Sequence, residues 1–206
     1  MTHRFRAGAS GPRAATTEEE QDTVGERQTV IRSLHDIGLA AWFGGSLFGA
    51  VGLNGASAAV GDPSDRTHVA AAGWARWAPV NAAALAVHSV GAVGLLTANR
   101  GRVVAQSGPR GNSAVKTVLT LAAMGVTAWS GLEGARLGKD SKAPANSGVD
   151  PNADTPQDVA ASMKKLKVLQ WTIPALTGTL LVLTAQQGEQ QKASQVAKGL
   201  LPSKLR

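Results

Sequence analysis

Four windows of the 206-residue chain contain no Asp, Glu, Lys or Arg: Ile37–Gly61, Trp77–Asn99, Thr117–Leu132 and Val168–Gly188. A bundle of amphipathic helices in water needs charged or polar residues on its outward faces at every turn or so, and these windows supply no charge. A helix that crosses a bilayer needs about 20 mainly apolar residues, within a range of about 17–25. Three windows meet that length directly, and Thr117–Leu132 reaches it with Lys116 or Glu133 at the interface. The mean hydropathy of -0.04 averages these windows with long polar segments, and Ala and Gly stand in many places where a span would usually carry Leu or Ile. The pattern predicts an all-α fold: a four-helix transmembrane bundle with spans at about 33–54, 77–99, 116–135 and 168–188, preceded by a disordered basic N-terminal arm.

Outside the spans the chain divides simply. Residues 1–32 form a basic arm rich in Arg, Gly and Ala, with a short polar helix over 17–32, because Thr16 and Thr17 precede Glu19 and Glu20 at capping-box spacing. About thirty polar residues before the first apolar run are unlike a signal peptide, so the first span is expected to remain as an anchor. The first connection, about 55–76, carries the turn signal Gly61-Asp62-Pro63-Ser64. The second, about 100–116, is basic and has Gly108-Pro109 to break a helix. The third, about 136–167, holds Pro144, Pro151 and Pro156 and is expected to be irregular in its middle. Residues 189–206 are a basic, weakly amphipathic tail suited to a membrane surface.

Basic residues in the arm, the second connection and the tail place both termini in the cytoplasm by the positive-inside rule, with Lys164, Lys165 and Lys167 weighing the other way. Trp74, Trp77, Trp129 and Trp171 fall at one level, as an interfacial belt would. The net charge of +7 and pI near 10.3 then belong to membrane orientation, and no nucleic-acid partner is implied. The absence of Cys excludes disulfides, thiolate metal sites and a Cys nucleophile.

With the flanking charges as span limits, the midpoints fall near Phe43, His88, Val126 and Gly178. His88 is then an ionisable residue at mid-bilayer, which is a functional-site hypothesis by default. Asn81, His88 and Asn99 return to nearly one helix face. Thr127 and Thr177 lie at the depth of His88 on other spans. His88 is read as a structural hydrogen-bonder to Thr127, Thr177 or a backbone carbonyl, as a proton-linked or ligand-contacting group, or as a haem ligand. His35 and Asp36 mark the inner interface of the first span, about 12 Å in depth from His88, which makes the two histidines a poor haem pair. Asp36 alternatively fixes the His35 tautomer or pairs with Arg32 or Arg100. Ala41, Gly45 and Gly49 form a small-residue packing motif, directed within the bundle or at another subunit. Glu133 is read as an interfacial residue, with a polar pocket shared with Asn54 and Asn81 as the alternative. Pro174 is expected to kink the fourth span and to strip the Gln170 carbonyl of its donor. No catalytic constellation, metal set or cofactor motif is legible.

The first span, with His35 followed by Trp42-Phe43-Gly44-Gly45 and Phe48, resembles the first helix of copper-resistance D-type membrane proteins. The chain as a whole resembles the small four-span integral membrane proteins common in high-GC bacteria. That resemblance implies a multi-pass location and no particular activity. The expectation is a non-enzymatic integral membrane protein, structural or accessory to a membrane assembly. Its partners would be the lipid bilayer together with a second copy or other membrane subunits. The alternatives are a small proton-linked carrier using the Asn81–His88–Asn99 line, and a haem or quinone protein around His88.

Overall fold

The computed structural model describes the backbone of residues 13–105, 107–140 and 142–190, and the side chains of 25–98, 113–139 and 142–186. The disorder expected before Arg13, most of the tail, and the side chain of Asn99 lie outside these residues.

The fold is an all-α four-helix bundle. Helix α1 runs Arg13–Phe48 and continues without leaving helical backbone through a π turn, Gly49–Leu53, into the short α2, Asn54–Ala58. Helices α3 (Pro63–Ala105), α4 (Ser107–Leu137) and α5 (Gln157–Gln190) complete the bundle, with a 3-10 turn at Gly138–Asp140. Four segments, Gly25–Ala58, Pro63–Ala98, Ser113–Leu137 and Gln157–Gln186, are each long and apolar enough to cross a membrane. One end of the bundle carries the 59–62 turn and the 142–156 loop and is termed the loop end. At the opposite, terminal end α3 gives way to α4.

The connections are shorter than the charges imply. Pro63 occupies the first position of α3, where its fixed φ suits a helix start, so residues 63–76 are helix and not loop. Asp65, Arg66 and Arg76 ride on that helix beyond the apolar window. Pro109 falls in the first turn of α4, where a missing N–H costs nothing, so Gly108-Pro109 starts a helix and does not break one. α5 begins at Gln157 and passes through Pro174 as one continuous helix.

α1 packs most extensively on α3, then on α5, while α4 lies chiefly on α5 and touches α3 much less. The central core joins Leu39, Trp42, Ala84, Ala123, Ile173 and Leu180. Along α4, Val115, Val118, Leu121, Trp129 and Leu132 face outward, the surface that hydrocarbon would cover. The 142–156 loop is not a slack connection. It buries Ala145 and Val149 with Leu137, Val159, Met163 and Leu166, and it straps across the start of α3. Ala145 donates its N–H to the Pro63 carbonyl at 3.1 Å, Thr67 donates to the Ala143 carbonyl at 3.0 Å, and Arg66 donates to the Val60 and Ala145 carbonyls. Lys167 pairs with Asp150.

Candidate functional site

Two glycines set the closest helix contact. A Cβ placed on Gly38 of α1 would meet the His88 backbone nitrogen at 2.5 Å and the Ala84 carbonyl at 2.6 Å, and one placed on Gly91 of α3 would collide with the His35 backbone. Side chains cannot intervene, so α1 and α3 touch backbone to backbone. That approach brings His35 and His88 together, with ring centroids 4.4 Å apart and tilted by 43°. His88 Nδ1 donates to the His35 carbonyl at 3.0 Å. His35 Nδ1 donates to the Asp36 carboxylate at 2.8 Å. Carbonyl and carboxylate oxygens only accept, so both rings carry their proton on Nδ1 and, when neutral, leave Nε2 as a bare acceptor. His88 Nε2 is buried without a partner. The Trp42 ring closes the site 6.1 Å from His88.

Both side chains are buried, His35 4% exposed and His88 1%, and it is the expected separation of about 12 Å in depth that the structure corrects. The error came from taking charges as span limits. Measured from the middle of the helical segments that carry them, His35 and His88 both lie about seven residues, roughly 10 Å, towards the terminal end. His88 is therefore displaced from the middle of its helical segment, and the two rings share one level. Asp36 keeps a half-exposed side chain at that end.

The other interior polar groups pair elsewhere. Trp42 Nε1 donates to Thr127 Oγ1 at 3.1 Å, and Thr127 donates to the Ala123 carbonyl. Thr177, fully buried, donates to the Ile173 carbonyl in its own helix. Neither threonine is bonded to His88. At the loop end the π turn carries Asn54 inward, where its Nδ2 donates to Gln170 Oε1 at 2.7 Å and its Oδ1 accepts from Trp74 Nε1 at 3.4 Å. Glu133, 2% exposed, faces Lys165 at 3.3 Å and Arg136 at 3.7 Å. The alternative of a pocket joining Glu133 to Asn54 and Asn81 is not what forms. Gly45 and Gly49 pack inside the bundle: a Cβ on either would strike the Trp77 or Trp74 indole. Ala41 packs at the edge of the central core. Trp129 and Trp171 are exposed, whereas Trp74 and Trp77 turn inward onto those glycines.

Asn81 and His88 have different surroundings. His88 faces α1, while Asn81 lines a cleft of about 470 Å³ between α3 and α4. The cleft exists because the facing residues are small: Ala71, Ala75 and Ala78 on α3, and Gly131 and Gly134 on α4. A Cβ on Gly131 or Gly134 would meet nothing within 4 Å. Gly148 of the strap closes the loop end, held by its N–H on Ser57 Oγ at 2.8 Å. Trp77 and Asn81 line the cleft, and Trp77 Nε1 and Asn81 Oδ1 are buried and unpartnered. Sequence reasoning missed the cleft, whose only linear trace is the alternation of Ala on α3 with Gly on α4. Among the described residues no cluster of three or more His, Asp or Glu forms a metal-binding group. The chain matches no protein-family profile, no curated protein and no solved structure.

Proposed function

We propose that the chain is a non-catalytic integral membrane protein of the cell membrane, with its terminal end in the cytoplasm, and that it serves as a structural or accessory component of a membrane assembly. The observation that carries this reading is the set of hydrogen bonds that join the helices. Trp42 closes on Thr127, Asn54 on Gln170 and Trp74, and His88 on His35. Polar side chains that hydrogen-bond across helices are the glue of a membrane bundle, and among the described residues these bonds form separate groups. The outward apolar face of α4 is available to lipid and to another subunit or a second copy. The test is purification of the full chain in gentle detergent, with identification of what accompanies it. Stoichiometric co-purification of other membrane proteins, or a defined homo-oligomer, is expected. A monodisperse monomer without companions contradicts the proposal.

A second reading, a small proton-linked carrier, is favoured by the Asp36–His35–His88 chain that leads inward from a half-exposed carboxylate. Asp36→Asn keeps the shape and removes the charge. Proton flux into vesicles that falls in this variant supports the carrier; co-purification unchanged by it supports the accessory role.

A further inference from the structure

The histidine pair has room for one compensated proton and no more. His35 Nδ1 donates to the Asp36 carboxylate at 2.8 Å, so a proton added to His35 makes an imidazolium that already faces an anion. His88 Nδ1 donates to the His35 carbonyl, and its Nε2 is buried with no partner. A proton added there would place in the dry interior both a charge and an N–H without an acceptor. The charged groups that act on the pair are Asp36 and Arg32 on α1 and Lys116 on α4, and α5 supplies none among the described residues. One carboxylate thus stands against two cations before either ring is charged. The ring centroids are 4.4 Å apart. At that spacing and an effective dielectric constant of about 20, repulsion between two imidazolium charges disfavours the second proton by about two to three orders of magnitude.

The rings are held at that spacing by the helix contact itself, Gly38 against the His88 backbone and Gly91 against the His35 backbone. Parting of α1 and α3 at this level relieves the repulsion and lets water solvate each charged ring. At the loop end the same two helices are held separately, with the Trp77 and Trp74 indoles seated on Gly45 and Gly49 and Trp74 bonded to Asn54. The parting is therefore confined to the terminal end. The closed contact holds one proton fewer than the separated rings would, so falling pH favours separation. We propose that the His35–His88 pair is an acid-released latch between α1 and α3, closed while the rings hold at most one proton beyond neutrality and open at the terminal end when both are charged. The latch needs neither proton flux nor a partner subunit, so it goes beyond both readings of function.

The test follows the full chain in phosphatidylcholine nanodiscs through a pH series, with two readouts. Imidazole nitrogen resonances of isotope-labelled histidine show which rings are charged, the pair being assigned from His35→Asn and His88→Asn. Nitroxides on Val30→Cys of α1 and Leu96→Cys of α3, both exposed positions towards the terminal end, report the distance between the helices by double electron–electron resonance. His35 is expected to charge first with the distance unchanged, and His88 to charge only as the distance lengthens. His88→Asn keeps an N–H for the His35 carbonyl and cannot take the second proton. Its distance is expected to stay short through the same acid range, with helix content equal to that of the parent. If that variant does not fold, the parent still decides, because the charging of His88 and the lengthening must coincide. A distance unchanged throughout the series, His88 charging before His35, or lengthening that precedes the charging of His88 or persists in His88→Asn would each overturn the proposal.

Discussion

Replacing Gly38 with Ala tests the contact on which the interior depends. The new Cβ would stand 2.5 Å from the His88 backbone nitrogen and 2.6 Å from the Ala84 carbonyl, whereas ordinary contact begins near 3.4 Å. Both obstacles are main chain, so no rotamer change relieves the clash and α1 and α3 must part by about an ångström. Such overpacking costs about 1–3 kcal/mol. The hydrogen bond from His88 to the His35 carbonyl stretches with it, a loss of about 0.6 kcal/mol and at most about 1.7 in a membrane bundle. Gly44→Ala on the same helix is the control, because its Cβ meets nothing within 4 Å and both variants share any gain of about 1 kcal/mol in helix propensity. The difference between the two variants, about 2–4 kcal/mol, therefore reports the contact alone. Reversible unfolding in mixed micelles, followed by far-ultraviolet circular dichroism, measures it. Equal stability of Gly38→Ala and Gly44→Ala within about 0.5 kcal/mol would refute the backbone-to-backbone pairing.

Other outcomes follow from single contacts. A double-mutant cycle of Trp42→Phe and Thr127→Val is expected to give a coupling of about 0.6–1.7 kcal/mol in the same unfolding assay, and no coupling would remove that bond from the account. Gln170→Leu leaves Asn54 Nδ2 with only the longer bond to the Ala50 carbonyl, so a loss of about 1–3 kcal/mol is expected by thermal unfolding in detergent; a neutral result would show that Asn54 finds another acceptor. Burial alone would push the Asp150 carboxyl up, but the hydrogen bonds from Lys167 and Ser147 and the Lys167 charge outweigh it and hold the group below the usual carboxylate range. Its stabilisation of the strap is thus complete above the ordinary carboxylate value and lost as pH falls through the lower folded one. Amide hydrogen exchange in 142–156, corrected for the intrinsic pH dependence of exchange, is expected to rise only at the acid end of a pH series, and to be raised throughout the series in Asp150→Asn; the same corrected pH profile in both proteins would contradict this.

Four apolar helices are legible in the chain because hydrocarbon imposes a length and excludes charge, and both constraints act on contiguous residues. Helix ends are less legible. Asp65, Arg66 and Arg76 look like loop charges, yet α3 carries them on the turns before its apolar window, and Pro63 and Pro109 start helices where their context suggests turns. That displacement moved every depth estimate and separated His35 from His88 on paper. Their pairing rests on Gly38 and Gly91, whose role shows only when two helices are laid against each other: Gly45 and Gly49 make the more conspicuous motif, yet they serve to seat indoles. The strap is irregular in backbone, as its prolines predict, but what holds it does not show along the chain, because its anchors, Arg66 and Thr67, lie some eighty residues away in sequence. The cleft is an absence of side chains on two helices facing each other, which no linear pattern specifies.

The central claim is that four helices cross a bilayer and leave both connections of the loop end on one side. Because the chain has no Cys, single cysteines at Asp62, Ala153, Ser107 and Val118 can be probed with a membrane-impermeant maleimide on sealed, oriented vesicles. The account predicts that Asp62 and Ala153 react from the same face, that Ser107 reacts only from the opposite face, and that Val118 on the lipid-facing side of α4 does not react until detergent is added. Labelling of Asp62 and Ser107 from one face, or reaction of Val118 without detergent, would contradict it.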